Sequence, residues 1–543
     1  MGMRRINIQF LLFFLLLFSE RGLAKQFIFG PDKTVIDGRS NASAVKPGDT
    51  IYLSGSPRQF VILRSLHGTP ENPILIQNMG GQVIFSGNSG YGIKFDTCSW
   101  ISLVGKGTGT AYGFVVNTTN AGVIIGGLST CIEVAGTEIY NTTWTGIVAK
   151  TDPDCSFKST RDKYTMRNIS IHDNYIHNTA NEGMYIGHTY YGGYIINCNG
   201  KDTLVYPHLI RGLRVYGNKV ESSGWDGIQV SSADSACFIN NNFVYHDSQA
   251  EVSDQMSGVL LGGGSSCNCF SNFIKDGKGD GIDELGLGGN YVYNNLIVNP
   301  GQSMSGSGQK HGIFVGTQTP LAGTGFHLIF NSIINARTYG IEFLNTTGVN
   351  NKAISNIIVS PNGTYIKIAA GTNLTQNSNL EVPNIADVKF INPSDDNYDL
   401  QATSPAVNTG NPIPEFTVGT DIIGRYRPFA RFFDIGAFEC HDSSLLALPE
   451  KKTLDEIDVR NANIKSGHIF ISLFLADRKL LKADLYDLAG HHIYEIYNAF
   501  QGPGIVQMDE FVGQLANAYY ICVFHFGNQI VSKKIPAWDF IKE

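Results

Sequence analysis

GIQVSS, Gly227–Ser232, opens on a glycine and then alternates apolar residues with others. Five other stretches repeat that opening: GMYIGH (Gly183–His188), GVLLGG (Gly258–Gly263), GIDELG (Gly281–Gly286), GIFVGT (Gly312–Thr317) and GIEFLN (Gly340–Asn345). Two looser copies come earlier, GIKFDT (Gly92–Thr97) and GIVAKT (Gly146–Thr151). So short a strand cannot bury its apolar face alone, but stacked on copies of itself it can. The six clear glycines lie 44, 31, 23, 31 and 28 residues apart. The shortest interval fits one bare turn of a three-sheet solenoid, and the longer ones carry inserted loops.

Between these strands runs a second recurring pattern, rich in asparagine. It reads NISIHDNYIHNT (Asn168–Thr179), LRVYGNKVESS (Leu213–Ser223), CFINNNFVYHD (Cys237–Asp247), NYVYNNLIVNP (Asn290–Pro300) and HLIFNSIINAR (His327–Arg337). Asparagine tolerates the left-handed backbone of tight turns and can bond to the next coil, so these residues are expected to stack as structural elements.

Bulk composition agrees. The 543 residues include 61 glycines, 16% charged and 11% aromatic residues, which suits a β-rich exported chain rather than a helical or disordered one. Residues 1–24 read as a secretory signal: Arg4 and Arg5, an apolar run from Phe10 to Phe18, and the small-residue site Gly22-Leu23-Ala24. That run is too short to span a bilayer, and no later segment approaches the required length. Loss of Arg4, Arg5, Arg21 and Glu20 takes the net charge from −7 to −9, which argues against a nucleic-acid partner. Of nine cysteines, Cys155 and Cys198 lie in polar insertions and can pair, Cys267 and Cys269 share one side of a strand, and Cys98, Cys131 and Cys522 read as core fillers. Without a CxxC there is no case for zinc.

The chain therefore divides into a signal peptide (1–24), a solenoid (25–384), a cap of irregular turns closing its open end (385–440), a linker (441–452) and a last domain (453–543). Alternation in HIFISLFL (His468–Leu475), YYICVFHF (Tyr519–Phe526) and QIVSKKI (Gln529–Ile535) predicts a small antiparallel β-sandwich there. The fold class is all-β: a right-handed three-sheet parallel β-helix with that sandwich at its C-terminus.

PGDTIYL, GTPENPI, the glycine-led strands and the asparagine turns resemble the right-handed β-helix proteins of the pectate-lyase-like superfamily, over roughly residues 30–385. DIGAFE (Asp434–Glu439) is similar to the closing segment of many bacterial secreted β-helix proteins. The last domain resembles the C-terminal sorting domain of the type IX secretion system of Bacteroidetes, through LYDLAG (Leu485–Gly490), the run from Leu515 to Tyr519 and Tyr520, and SKKI (Ser532–Ile535). It departs from that pattern at Ala518, where the family usually has glycine. The resemblance implies export through the periplasm, secretion machinery as a partner, and a secreted or outer-surface location. A monomer with no transmembrane segment is expected.

Aligning the glycines yields two rows. The residues before them are Thr145, Glu182, Asp226, Ser257, Asp280, His311 and Tyr339. The second residues after them, which should face outward, are Val148, Tyr185, Gln229, Leu260, Asp283, Phe314 and Glu342. Candidate catalytic residues are Glu182, Asp226, Asp280, Asp283 and His311; candidate substrate contacts are Tyr185, His188, Gln229, Lys310 and Phe314. Adjacent coils lie roughly 5 Å apart, so Glu182 and Asp226 sit about 5 Å apart and Asp226 and Asp280 about 10 Å apart, spacings that bracket retaining and inverting glycoside hydrolysis. Asp226, Asp280 and Asp283 can alternatively hold Ca²⁺, with His311 or Lys310 as the base of a uronate elimination. The plainer reading is that acids before glycine cap turns and that the aromatics stack between coils. Insertions at 150–165, 189–209, 246–257 and 301–311 are expected to frame a cleft over these rows. The function this supports is recognition and cleavage of a polysaccharide by a lyase or glycoside hydrolase. The alternatives are a non-catalytic glycan-binding or adhesin protein and a uronate C5 epimerase.

Overall fold

The structure, a computed structural model, describes residues 24–106, 111–117, 119–446 and most of 457–537. The expected signal peptide up to residue 23 and the second half of the linker lie outside the described residues. Two compact units result, dividing near Leu445.

The first unit is the β-helix. Three parallel sheets of 13, 12 and 11 strands run its length. The first contains Ser170–His172 and Arg214–Tyr216, the second Met184–Ile186 and Ile228–Val230, the third Tyr175–Thr179 and Lys219–Ser223. Each coil visits the first, then the third, then the second sheet. Inward residues of all three make one column of Ile, Val, Leu and Phe, from Ile36 to Ile358. Such a column removes apolar area from water at about 25 cal/mol per Å², the main term holding the coils together.

The glycine register is the expected one. Ile147 pairs with Met184, then Ile228, Val259, Ile282, Ile313, Ile341 and Ile366 follow rung by rung. One coil absent from the alignment, Ala121–Gly126, supplies a rung between Gly92 and Gly146, with Gly122 at the same tight corner. The glycines mark a tight corner between the third and second sheets. A Cβ at Gly281 would lie 2.4 Å from Ile297 Cγ2 and 2.5 Å from the Gly312 carbonyl, and the other rungs are as close.

The asparagines stack as expected. Asn174, Asn218, Asn242, Asn272, Asn295, Asn331, Asn356 and Asn379 form a buried ladder at the corner between the first and third sheets. Each Nδ2 up to Asn356 donates to the next Oδ1 at 3.0 Å. Each also donates to a backbone carbonyl of the preceding coil, as Asn272 does to Ile239 at 2.9 Å. The corner's polar groups are thereby satisfied without water.

Residues 385–440, expected to close the open end, pack instead along the flank of the last coils. There the outward residues Leu296, Val298, Ile334, Ile357 and Val359 are themselves apolar and need cover, which Val388, Phe390, Leu400, Ile435 and Phe438 supply. Fully buried Arg427 fixes this segment, donating to Asn294 Oδ1 (2.6 Å), Glu439 Oε2 (3.2 Å) and the carbonyls of Asp434, Gly436 and Phe438. Gly436 at φ +88° passes where a Cβ would strike Ile357, which accounts for DIGAFE.

Among its described residues the second unit has seven strands between Ile457 and Ala537, antiparallel except for one parallel link at Ile464–Ala537, around a core of its own. Among the described residues two disulfides form in the β-helix. Cys155–Cys198 joins the two loops foreseen, and Cys237–Cys267 joins register partners on adjacent rungs. Cys98 and Cys522 are buried fillers, whereas Cys131 is only half-buried.

A candidate carboxylate site on the second sheet

Both rows exist as read from the glycine alignment. Outward positions pair as Val148, Tyr185, Gln229, Leu260, Asp283, Phe314 and Glu342. The residues before the glycines line the corner where the chain enters the second sheet, and most are deeply buried.

At this corner the acids are tied coil to coil. Thr145 Oγ1 donates to Glu182 Oε2 at 2.8 Å. The Ser257 amide and hydroxyl both donate to Asp226 Oδ1 at 2.8 Å, while Asp226 Oδ2 has no partner. Lys310 Nζ lies 2.7 Å from Asp280 Oδ2, and the His311 amide donates to Asp280 Oδ1. The turn-capping reading is thus right about the bonds. It does not account for the oxygens left over.

Asp247 completes the group, and sequence reasoning missed it. Two residues past the paired positions Glu221 and Tyr245, it takes the place of Thr179 and Ser223, whose hydroxyls donate to their own backbone two residues on. Ser248 Oγ donates to Asp247 Oδ2 at 2.6 Å, and Oδ1 fills the space a Cβ on Gly277 would need. The usable signal was an aspartate in a hydroxyl row facing a glycine one coil later.

Crowding and burial set the electrostatics. Burial, reinforced by Glu182 and Asp247, pushes the Asp226 carboxyl up to about 8. Burial, with help from Asp280, takes Asp247 to about 6. Asp283 is raised well above the usual aspartate value, by burial and then by Asp280, Asp226 and Asp247, against the pull of Lys310. Unlike the others it keeps partial exposure, and its Oδ1 has no partner. Glu182 is raised by burial too. A carboxyl that holds its proton near neutrality is the requirement for a general acid.

His311 is buried between the rings of Tyr339 (5.2 Å) and Phe314 (5.8 Å). Its Nε2 faces Glu342 Oε2 at 3.1 Å, and Nδ1 has no partner. Burial holds its pKa below the usual value, against the pull of Asp280. Facing a carboxylate, Nε2 carries the proton, which leaves a lone pair on Nδ1.

The remaining candidates stand apart. His188 lies at the far end of its strand, buried, stacked on Tyr194 (4.8 Å), its Nδ1 accepting from the Tyr190 amide. Burial and Lys150 bring it down to about 4. Gln229 is 1% exposed rather than open to ligand. Thr189 Oγ1 sits over it, accepting from Gln229 Nε2 (2.9 Å) and bonding the Tyr185 hydroxyl (2.8 Å), with Lys150 Nζ 4.5 Å above the Tyr185 ring. Of the inserted loops, 189–209 lays Thr189 over the strands, and with 150–165 it lines a cavity of about 610 Å³ at Phe157, Arg161, Leu204 and Tyr206. The other cavities described open elsewhere, such as a groove of about 550 Å³ on the first sheet lined by Trp100, Glu133, Arg214 and Phe238.

Among the described residues no group of three or more His, Cys, Asp or Glu side chains is disposed to hold a metal ion. The charge beside Asp280 that the calcium reading assigned to an ion is supplied by Lys310. No helix among the described residues is long and apolar enough to cross a membrane.

What fold and site define is a right-handed parallel β-helix protein with a row of buried carboxyls along one corner. No family model matches the chain, and no curated protein does. Among solved structures, XylC in complex with xylose is similar over 89% of this chain and 100% of that one, at 10% identity and a TM-score of 0.32. So distant a likeness bears on neither activity nor substrate, and the fold stands on the strand pairing itself.

Proposed function

We propose that this protein is an exported glycoside hydrolase acting on a neutral polysaccharide, with Asp283 as proton donor. The observation that carries the reading is Asp283: an outward, partly exposed carboxyl whose pKa is raised well above the usual aspartate value by burial and then by Asp280, Asp226 and Asp247. In the reaction the Asp283 proton passes to the glycosidic oxygen as its bond to the anomeric carbon breaks. A water oxygen bonds to that carbon, and the water's proton goes to the partly exposed Glu342 carboxylate, which His311 Nε2 holds at 3.1 Å. Phe314, paired with Asp283 on the next rung, offers an aromatic surface beside the reacting sugar.

Proton affinity favours hydrolysis over elimination. Asp283 is raised toward the protonated form that a donor needs, whereas the base that an elimination needs is poorly supplied: Asp280 holds Lys310, and burial lowers the pKa of His311. Export is supported by the N-terminal signal pattern, by the two disulfides, which persist in oxidising compartments, and by the resemblance of the last domain to type IX sorting domains.

The test is a screen of the mature protein against neutral and uronic-acid polysaccharides, with Asp283→Asn alongside. Reducing ends should appear from a neutral glycan and vanish in the variant. Unsaturated uronate absorbance would replace hydrolysis by elimination. Binding without turnover in both proteins would favour an adhesin.

A further inference from the structure

We propose that Arg337 is a positioning residue for this site: it shapes the loop 301–310 so that Lys310 reaches Asp280. The inference rests on the reading of the carboxylate row as a catalytic site.

Arg337 follows the third-sheet strand Ser332–Ile334 and touches none of the acids. Its guanidinium reaches into the loop and donates to four carbonyls, those of Gly301 (3.0 Å), Met304 (2.7 Å), Gly306 (2.5 Å) and Gly308 (3.2 Å). Only a planar fork of five donors can gather four acceptors in this way; an ammonium on a flexible stem cannot. From the other side Glu251 holds the same loop. It accepts from the Ser305 amide (3.1 Å) and hydroxyl (2.6 Å) and from the Gly306 amide (3.3 Å), and it pairs with Lys278 (2.8 Å).

The loop starts and ends at one place. Gly301, at φ +71°, lies where a Cβ would run into Lys310 Cβ and come within 3.0 Å of Arg337 Cβ. Lys310 is the last residue of this ring. Its amide is fixed by Thr338 Oγ1 (3.1 Å), and Nζ extends to Asp280 Oδ2 (2.7 Å) and the Met256 carbonyl (3.4 Å). His311 follows at once. The shape of the loop thus decides where the ammonium beside Asp280 stands.

Asp283 faces Asp280 on its own strand, Asp226 and Asp247 from preceding coils and Lys310 from the following one, with His311 beside Asp280 and Phe314 between Asp283 and Glu342. Withdrawing Lys310 from that set leaves carboxyls and a neutral imidazole, and the carboxyls then hold their protons to higher pH.

The experiment compares the full chain with Arg337→Ala, Arg337→Lys, Lys310→Ala and Glu251→Gln. The side-chain carboxyl of Asp283 is titrated by carbon NMR, assigned through Asp283→Asn, and kcat and KM are followed against pH. Arg337→Ala should move the Asp283 titration up by a pH unit or more and shift the basic limb of the kcat profile with it. It should lower kcat at least tenfold, with KM changed less than threefold. Lys310→Ala should reproduce the shift, and Arg337→Lys should not cure it. A fall in Tm with an unmoved titration would overturn the proposal, leaving Arg337 merely structural. Should Arg337→Ala fail to fold, Glu251→Gln loosens the same loop from outside and decides by the same titration. The titration reads without turnover, so a wrong substrate class would silence the kinetics and leave this answer standing.

Discussion

Asp226→Asn should make the protein more stable, by an amount that grows with pH. The folded carboxyl holds its proton up to about pH 8, whereas an ordinary aspartate releases it near 3.8. Folding therefore takes up a proton between those two values. Each pH unit across the window costs about 1.4 kcal/mol, so stability is full below pH 4, declines as pH rises, and levels off above pH 8. Asparagine has the shape of the protonated acid, keeps the oxygen that Ser257 bonds at 2.8 Å, and does not titrate. The variant should gain about 1.5 kcal/mol at pH 5 and about 4 kcal/mol at pH 7 over the native chain. Urea unfolding of both proteins at pH 5, 7 and 9 measures this. A variant no more stable at pH 7, or a gain independent of pH, would refute the account of a buried, proton-holding Asp226.

Other outcomes test the scaffold and the site. Asn272→Ala strands the Asn242 amide and the Ile239 carbonyl within the ladder, and at about 1–3 kcal/mol for each buried group left unpaired it should lower the urea midpoint by roughly 3–5 kcal/mol of stability. Gly281→Ala puts a methyl 2.4 Å from Ile297 and 2.5 Å from a backbone carbonyl, so it should cost at least about 2 kcal/mol or fail to fold, seen as a loss of soluble protein. Calcium and chelator should both leave Tm unchanged in the native chain, because Lys310 supplies the charge beside Asp280; a rise with calcium in differential scanning fluorimetry would contradict that arrangement.

Much of the fold was legible because its determinants are local. A glycine at each tight corner and an apolar residue after it fix which residues pair, and a parallel stack repeats that choice at one strand spacing per coil. Ile228 meets Val259 and Val259 meets Ile282 as the glycines require. The missed coil at Ala121–Gly126 carries the same signal, since Gly122 opens GVIIGG as Gly258 opens GVLLGG. The cap, by contrast, was misplaced because apolarity in Leu296 and Ile357 gives no sign of whether those residues face inward or are covered from outside.

The sequence by itself determined the register, and with it the juxtaposition of Glu182, Asp226, Asp280 and Asp283 on neighbouring rungs. Tertiary structure alone decided which of those carboxyls are sealed and which is reachable, that Asp247 joins them, that Lys310 occupies Asp280, and that Gln229 and His188 belong elsewhere. Register follows from short-range sterics written into a few consecutive residues. Burial and proton affinity depend on every charge and loop within several ångströms, and those neighbours come from parts of the chain that no local pattern brings together.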